Sequence, residues 1–149
     1  MNLYSQLGRV AKIQPKSTAI FWKGGSLNYL HFYNLASSIG SALSNKFNLK
    51  RGENVAIVME NSYLFLPILF GIWKAGLTAV PINSKLHKKE LSWIFKNSDT
   101  KFIFCSEDKS SDIDSKVPVV ENFSKEFNQI SKSEHLVSEN TDISDPAWI

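Results

Sequence analysis

Residues 55–83 constrain the fold of this chain more than any other stretch. An unbroken apolar run of strand length, residues 55–59, is followed by an apolar run of helix length, residues 63–73. Gly76 supplies a helix stop, and a second short apolar run occupies residues 77–82. A strand, a helix and a strand within about thirty residues form a βαβ unit. The sequence therefore predicts two parallel strands joined by a helix.

Both predicted strands lack the polar alternation that a solvent-facing sheet requires, so both faces of the sheet should be covered by helices. A transmembrane span over residues 63–82 is the competing interpretation, because its length is close to the roughly 20 residues that cross a bilayer. Lys74 in the middle costs about 2.5–3.5 kcal/mol in a membrane, and glycines and prolines interrupt the run. The βαβ interpretation is favoured, and Pro67 requires the helix to bend or to begin late.

The flanking sequence extends this pattern. Residues 3–13 have helical spacing, residues 18–22 and 26–29 flank a glycine-rich hairpin turn, and Asn28 is placed to cap a helix that ends near Asn45. Further on we expect a helix at 88–96, a strand at 101–106, a fourth strand at 117–120 and a short helix at 121–130. Residues 106–116 and 131–145 are polar and acidic and are predicted to be surface loops. The predicted fold class is α/β, a doubly wound, mainly parallel sheet flanked by helices, with a short N-terminal hairpin.

The distribution of charged residues and the cysteine content indicate which classes of protein this chain resembles. Residues 1–105 carry 13 Lys and Arg against 4 Asp and Glu, and residues 106–149 carry 4 against 10, so the two parts have net charges of +9 and −6. The lysines are scattered over predicted helix ends and loops without an aromatic-interleaved stripe, which argues against nucleic-acid binding. Cys105 is the only cysteine and the N-terminus has no signal-peptide pattern, so a cytoplasmic location is expected.

No residue of the chain is predicted to be catalytic or to bind a metal. The three histidines are far apart and lack partners at ligand spacing, so they are interpreted as solvated: His31, His87 and His135. Cys105 is interpreted as a small buried apolar residue, and Ser62 as a helix-start residue. Trp73 and Trp93 are assigned to the core or to an interface. No phosphate-binding glycine motif follows either strand of the βαβ unit, since Gly24 and Gly25 lie in the hairpin.

Four stretches carry a resemblance to a known family. They are LNYLHF (27–32), RGENVAI (51–57), NS (61–62) with WKAG (73–76), and VPIN (80–83) with KL (85–86) and EL (90–91). In this order and spacing they resemble the N-terminal region of the adenylate-forming, AMP-dependent synthetase and ligase superfamily. The final DPAWI (145–149) is similar to the segment that precedes the phosphate loop of that family. Three positions depart from the family pattern, His31, Leu64 and His87, and each lost helix cap should cost about 0.5–2 kcal/mol.

The resemblance implies that residues 1–149 are a single partial domain, part of the large N-terminal domain of a longer enzyme. The parent would be an ATP-dependent acyl-CoA ligase, for example a fatty-acid CoA ligase, that uses ATP, Mg²⁺ and CoA and acts on a small-molecule carboxylic acid. Its catalytic residues should follow Ile149, so the fragment alone is expected to be inactive and to bind no cofactor. The alternatives are a peptide-synthetase-type adenylation domain fragment and a free-standing flavodoxin-like binding or interaction module.

One site residue follows from the resemblance. Lys85 lies where some acyl-CoA ligases carry a basic residue that approaches the nucleotide phosphates of CoA, whereas an ordinary solvated lysine is the alternative interpretation. A truncated sheet with an uncovered edge also suggests a homodimer.

Overall fold

The computed structural model describes residues 2–132, in which a four-stranded sheet lies between layers of helices and a two-stranded hairpin stands apart from it. The helices are α1 (Leu3–Ile13), α2 (Tyr29–Asn45), α3 (Phe65–Lys74), α4 (Lys88–Asn97) and α5 (Lys125–Ser131). The strands are β1 (Thr18–Trp22), β2 (Gly25–Asn28), β3 (Asn54–Val58), β4 (Thr78–Pro81), β5 (Thr100–Cys105) and β6 (Val119–Glu121). A short 3-10 helix, Glu107–Asp112, lies between β5 and β6.

The four strands of the central sheet are all parallel and follow the order β4-β3-β5-β6. The predicted βαβ unit is β3-α3-β4, whose strands pair with Val55 opposite Ala79 and Ile57 opposite Pro81. β4 is an outer strand and ends at Pro81. Because the next residue, Ile82, donates its N–H to the Ile57 carbonyl at 2.9 Å, the nitrogen of Pro81 faces away from β3. The predicted mainly parallel α/β sheet is confirmed.

Both faces of the sheet are buried, which explains the lack of polar alternation in its strands. Val55 and Ile57 of β3 pack with α2, α3 and α5 on one face. Ala56 and Val58 point to the other face and pack with Leu91 and other residues of α4. Helices on the two faces make the sheet doubly wound, as predicted.

Helix α3 begins two residues later than its apolar run. Pro67 is the third residue of α3, so its missing N–H falls in the first turn, where no intrahelical partner exists. The helix ends at Lys74, and Gly76 adopts φ 70°, the left-handed conformation of a helix stop. Within residues 2–132 no helix is long and apolar enough to cross a membrane.

The contact between α2 and α3 is unusually close. A Cβ atom added to Gly40 would lie 2.7 Å from the Gly71 carbonyl oxygen, and one added to Gly71 would lie 2.7 Å from Ile39 Cγ2. The side chain of Lys74 is buried in the same contact, where its Nζ donates to Ser41 Oγ at 2.8 Å. Two glycines thus allow two helices to lie over one face of a narrow sheet.

The hairpin β1-β2 is antiparallel and packs against α1 and α2. Asn28 caps α2 as predicted, because its Oδ1 accepts the N–H of His31 at 2.8 Å. After β5 the expected elements are present with shifted bounds. β6 begins at Val119, and α5 begins only at Lys125, where Ser124 Oγ accepts the N–H of Phe127 at 3.0 Å. The 3-10 helix falls inside the predicted loop 106–116, and residues 133–145 of the second predicted loop lie outside the described residues.

Candidate functional site at the carboxyl edge of the sheet

The parallel strands place their carboxyl ends along one edge of the sheet. The residue that follows a strand is still bonded to the neighbouring strand: Ile82 donates its N–H to Ile57 at 2.9 Å, and Ser106 donates to Val58 at 3.1 Å. The loops after β3, β4 and β5 therefore leave the sheet from adjacent positions. In open α/β sheets this edge is where ligands bind.

Lys85 lies at this edge, in the loop between β4 and α4. Asn83 Oδ1 accepts the N–H of Lys85 at 3.0 Å, and the carbonyl of Asn83 accepts the N–H of Leu86 at 3.2 Å. These two bonds fix a local turn that leaves the Lys85 side chain exposed to solvent. Lys85 has no acidic partner among residues 2–132. An exposed ammonium group on a fixed turn can contact an anion in solution.

The start of α4 adds further charge to the same loop. The carboxylate of Glu90 accepts the N–H of His87 at 2.9 Å, which satisfies one of the free donors at the start of the helix. Lys88 Nζ lies 3.6 Å from Asp114 Oδ2 in an exposed ion pair. Glu90 thus caps the start of α4, in which His87 is the N-cap residue.

Two residues that the sequence analysis interprets as structural are Cys105 and Ser62. Cys105 is fully buried, and burial, with smaller contributions from Glu121 and Asp108, raises the pKa of its thiol to about 12. At neutral pH it is therefore protonated and is a poor nucleophile. The Oγ of Ser62 accepts the N–H of Leu64 at 3.2 Å, as expected of a helix-start residue.

The histidines and tryptophans that the sequence analysis considers differ in their exposure to solvent. His31 and His87 are exposed, and His135 lies outside the described residues. Trp73 belongs to the core, whereas Trp93 is 67% exposed. In the part of the chain that the structure describes, no group of three or more His, Cys, Asp or Glu side chains could hold a metal ion.

An aromatic patch lies beside the carboxyl end of β3, and sequence reasoning did not find it. We define it as the side chains Phe21, Trp22, Tyr63, Leu66 and Phe123. The rings of Trp22 and Tyr63 are stacked with centroids 4.0 Å apart and planes 12° apart, and Phe123 lies 5.7 Å from Tyr63. The patch borders an open groove of about 350 Å³ that is also lined by Asn61 and Ser62. Three apolar residues in a row on a hairpin, residues 20–22, were the signal that could have indicated it.

Comparison with known proteins gives a consistent result. A family model described as AMP-binding enzyme matches residues 7–148. The 4-hydroxybutyrate–CoA ligase 2 of Metallosphaera sedula is 32% identical over 101 residues, which cover 68% of this chain and 18% of that protein. The fatty acid–[acyl-carrier-protein] ligase ScoC of Streptomyces coeruleorubidus is 32% identical over 108 residues, which cover 72% of this chain and 20% of that protein.

A solved structure shows the same fold. The N-terminal domain of FACL13 from Mycobacterium tuberculosis superposes with a TM-score of 0.90 at 20% identity, covering 100% of this chain and 41% of that one. The chain spans about a fifth of the length of the curated relatives it matches.

Proposed function

Because this chain belongs to the family of AMP-binding enzymes, we propose that it is the N-terminal part of an ATP-dependent acid–thiol ligase, most similar to an acyl-CoA synthetase. The observation that carries the proposal is the family match over residues 7–148 together with 32% identity to a named CoA ligase. The doubly wound sheet with a polar carboxyl edge supports it, because such sheets bind their ligands at that edge.

In the proposed reaction a carboxylate attacks the α-phosphate of ATP, which gives an acyl-adenylate and releases pyrophosphate. The thiol of CoA then attacks the acyl carbonyl carbon, and AMP leaves. Both steps need donors or cations, such as Mg²⁺, that stabilise charge developing on oxygen. Residues 2–132 contain no glycine-rich phosphate turn, so the groups that bind ATP are assigned to the rest of the parent. The 149-residue chain alone should be inactive.

The contribution of this chain is then to build and position one edge of the site. β3, β4 and β5 hold their carboxyl-terminal loops in place through backbone hydrogen bonds to neighbouring strands. We assign to Lys85 the contact with a nucleotide phosphate of CoA, because its ammonium group is exposed on a fixed turn and unpaired among residues 2–132.

The Lys85 assignment predicts a selective effect. In the full-length parent, Lys85→Glu should raise the KM for CoA about tenfold, since a contact to a charged group contributes about 1.4 kcal/mol. Adenylate formation, measured as ATP–pyrophosphate exchange, should not change. Lys96→Glu at the other end of α4 changes the same charge on an exposed residue and is the matched control. An unchanged KM for CoA in Lys85→Glu would contradict the assignment.

The proposed function has two direct tests. The coding sequence after Ile149 should continue into a Ser-, Thr- and Gly-rich run; a stop codon there would contradict the proposal. The purified parent should catalyse ATP–pyrophosphate exchange that depends on an added carboxylic acid. A thermal-shift measurement on the 149-residue chain tests the flavodoxin-like alternative, because a clear stabilisation by FMN would favour that module.

A second candidate concerns the acceptor thiol. ScoC, one of the relatives, is named a ligase that acts on an acyl-carrier protein, so the phosphopantetheine thiol of a carrier protein is the alternative to CoA. The two are separated by incubating the parent with a fatty acid, ATP and either thiol and measuring thioester formation. An amino-acid substrate with a carrier thiol would instead indicate a peptide-synthetase-type adenylation domain. We expect the parent to act in the cytoplasm, since Cys105 is the only cysteine of this chain.

A further inference from the structure

Helix α1 presents an apolar flank and a basic flank to solvent. Its buried side consists of Tyr4, Leu7 and Ala11. At about 3.6 residues per turn, Leu3 and Ile13 lie on one exposed flank, and Arg9 and Lys12 lie on the other. Leu3 is 49% exposed and Ile13 is 75% exposed. Exposed apolar side chains therefore lie beside exposed cationic ones on the same helix.

The start of α2 continues the apolar flank. The backbone N–H of Leu30 donates to the carbonyl of Pro15 at 3.1 Å, which holds the start of α2 beside the end of α1. Leu30 is 42% exposed, and Lys16 is exposed next to Pro15. We define the N-terminal face by its exposed apolar and cationic side chains, which are Leu3, Arg9, Lys12, Ile13, Lys16 and Leu30. Exposed apolar side chains grouped on the surface of a folded domain indicate an interaction site.

The N-terminal part of the sequence contains no acidic residue. Residues 1–52, which include α1, the hairpin and α2, carry seven Lys and Arg and no Asp or Glu. All 14 Asp and Glu residues of the chain follow, beginning with Glu53. This layer of the fold therefore carries a net charge of +7 with His counted as neutral, and such a charge attracts an anionic partner.

Helix stability does not explain this lack of acidic residues. α1 and α2 have none in their first turns, whereas α4 has Glu90 and α5 has Glu126 there. An acidic side chain in the first turn interacts favourably with the helix dipole, so α1 and α2 lack a contact that would stabilise them. The neutral side chains of Asn2 and Asn28 cap these two helices instead. Negative charge is thus absent from this layer even where the fold would favour it.

We propose that the N-terminal face binds the surface of an anionic phospholipid bilayer. α1 lies parallel to the membrane, and Leu3, Ile13 and Leu30 enter the boundary between headgroups and acyl chains. Lys12 and Lys16 contact lipid phosphates. The aliphatic side chains favour a bilayer over a nucleic acid, whose bases are bound by stacking on aromatic rings. The proposal uses none of the residues assigned to the ligase site and does not depend on the proposed function.

Sedimentation with lipid vesicles tests the proposal on the 149-residue chain. Vesicles of pure phosphatidylcholine are compared with vesicles that contain about 30% phosphatidylglycerol, and the partition coefficient of the chain is measured for each. The chain should bind the anionic vesicles at least tenfold more strongly than the neutral ones. Raising the NaCl concentration from about 0.05 M to about 0.5 M should weaken this binding about tenfold, because salt screens exposed charges.

Two substitutions test the two flanks of α1 separately. Ile13→Ser removes an exposed apolar side chain and Lys12→Glu reverses a charge, and each should lower the partition coefficient for anionic vesicles about tenfold. Trp93→Ser on α4 is the matched control for Ile13→Ser, because Trp93 is 67% exposed. Lys96→Glu is the matched control for the charge reversal, since Lys96 lies in the last turn of α4 as Lys12 lies in the last turn of α1. Both controls should bind within about twofold of the unmodified chain.

Several outcomes would overturn the proposal. They include binding to neither kind of vesicle, equal binding to both, and equal losses in the variants and in their controls. A loss of binding in Lys12→Glu without a loss in Ile13→Ser would also overturn it, because the contact would then be purely electrostatic, as with an acidic protein or a nucleic acid. Self-association of the chain without vesicles that Ile13→Ser abolishes would overturn it in favour of a second copy.

The same measurement on the full-length parent tests whether the N-terminal face stays accessible in the longer protein. The parent should bind anionic vesicles with the same dependence on Ile13 and Lys12, and a parent that does not bind them would overturn the proposal. Acid-dependent ATP–pyrophosphate exchange, measured without vesicles, tests the proposed function alone. An active parent that ignores the vesicles would therefore reject the membrane contact and keep the ligase, and an inactive parent that binds them would do the reverse.

Discussion

The two faces of the central sheet are built differently from the same strands. One face is covered by α2, α3 and α5, and its cluster of fully buried side chains includes both Phe102 and Phe104 of β5. The other face is covered, within residues 2–132, by one helix, α4, and by loops, and there β5 contributes Ile103 and Cys105. We call these the thick face and the thin face. Successive residues of β5 therefore point alternately into the larger and the smaller of two buried clusters.

Because the two faces are covered to different extents, we expect the thick face to contribute more to the stability of the fold and the thin face to lie closer to solvent. On the thick face two helices approach closely enough that a glycine is required at the contact. On the thin face loops complete the cover with half-buried residues, among them Ile82 and Leu86, which flank Lys85. Lys85, to which we assign the contact with CoA, therefore lies next to the thin face, while the thick face holds most of the buried core. Substitutions on the two faces should therefore lower the free energy of unfolding by different amounts.

The largest loss of stability is expected when a large buried side chain is removed from the thick face. Phe102→Ala should destabilise the chain by about 3–5 kcal/mol, because it removes a fully buried ring that contacts the rings of Phe47 and Phe104. Phe95→Ala on the thin face, where the ring is 7% exposed, should cost less, about 3 kcal/mol, at the low end of the range for such truncations. Urea unfolding followed by circular dichroism measures both. Equal losses would contradict the distinction between the faces.

A smaller effect is expected from overfilling the contact between α2 and α3. Gly40→Ala should cost about 1–3 kcal/mol, because the new methyl group meets the Gly71 carbonyl at 2.7 Å. Gly8→Ala in α1 is the control, since its methyl group meets only the ring edge of Tyr33, at 3.0 Å, and alanine favours a helix by about 0.5–1 kcal/mol. Thermal unfolding of the two variants should shift in opposite directions or only for Gly40→Ala. A stable Gly40→Ala variant would show that the two helices can separate at little cost.

The smallest change in stability is expected from a substitution that tests whether water reaches Cys105 on the thin face. The folded pKa of Cys105 is about 12, above the unfolded value of about 8.5. The stability contributed by the neutral thiol is therefore complete below about pH 8.5 and is lost as the pH rises through 12. At about pH 7, Cys105→Ala should cost about 1 kcal/mol, and this difference from the wild type should shrink and reverse as the pH rises above about 9. A difference that is constant with pH would mean that water reaches the thiol.

The sequence allowed most of the fold to be predicted, because its signals are local. The apolar runs specified β3, α3 and β4, Gly76 ended the helix, and Asn28 capped α2. The late start of α3 was one of two outcomes that Pro67 allowed. The order β4-β3-β5-β6 was not predicted, because parallel strands joined by long connections do not reveal their neighbours in their own sequence.

The site was less predictable for a related reason. Lys85 is proposed from a resemblance alone, and the turn that exposes it depends on a hydrogen bond from its N–H to Asn83 Oδ1. The stack of Trp22 on Tyr63 joins residues 41 positions apart, on a hairpin and a helix start that have no shared periodicity. Phe123 was predicted to lie in a helix, yet its left-handed backbone delays α5 until Lys125. Contacts between elements that are distant in sequence could therefore not be predicted from local sequence patterns.

The proline that ends β4 has a consequence for handling the chain at high concentration. Fibril growth by strand addition needs a continuous row of amide donors along an open sheet edge. On the outer side of β4 that row is interrupted at Pro81, which has no amide hydrogen to offer an incoming molecule. A preparation of this protein should accordingly resist seeding through that margin, and replacing Pro81 by valine should shorten the lag before thioflavin-positive aggregates form.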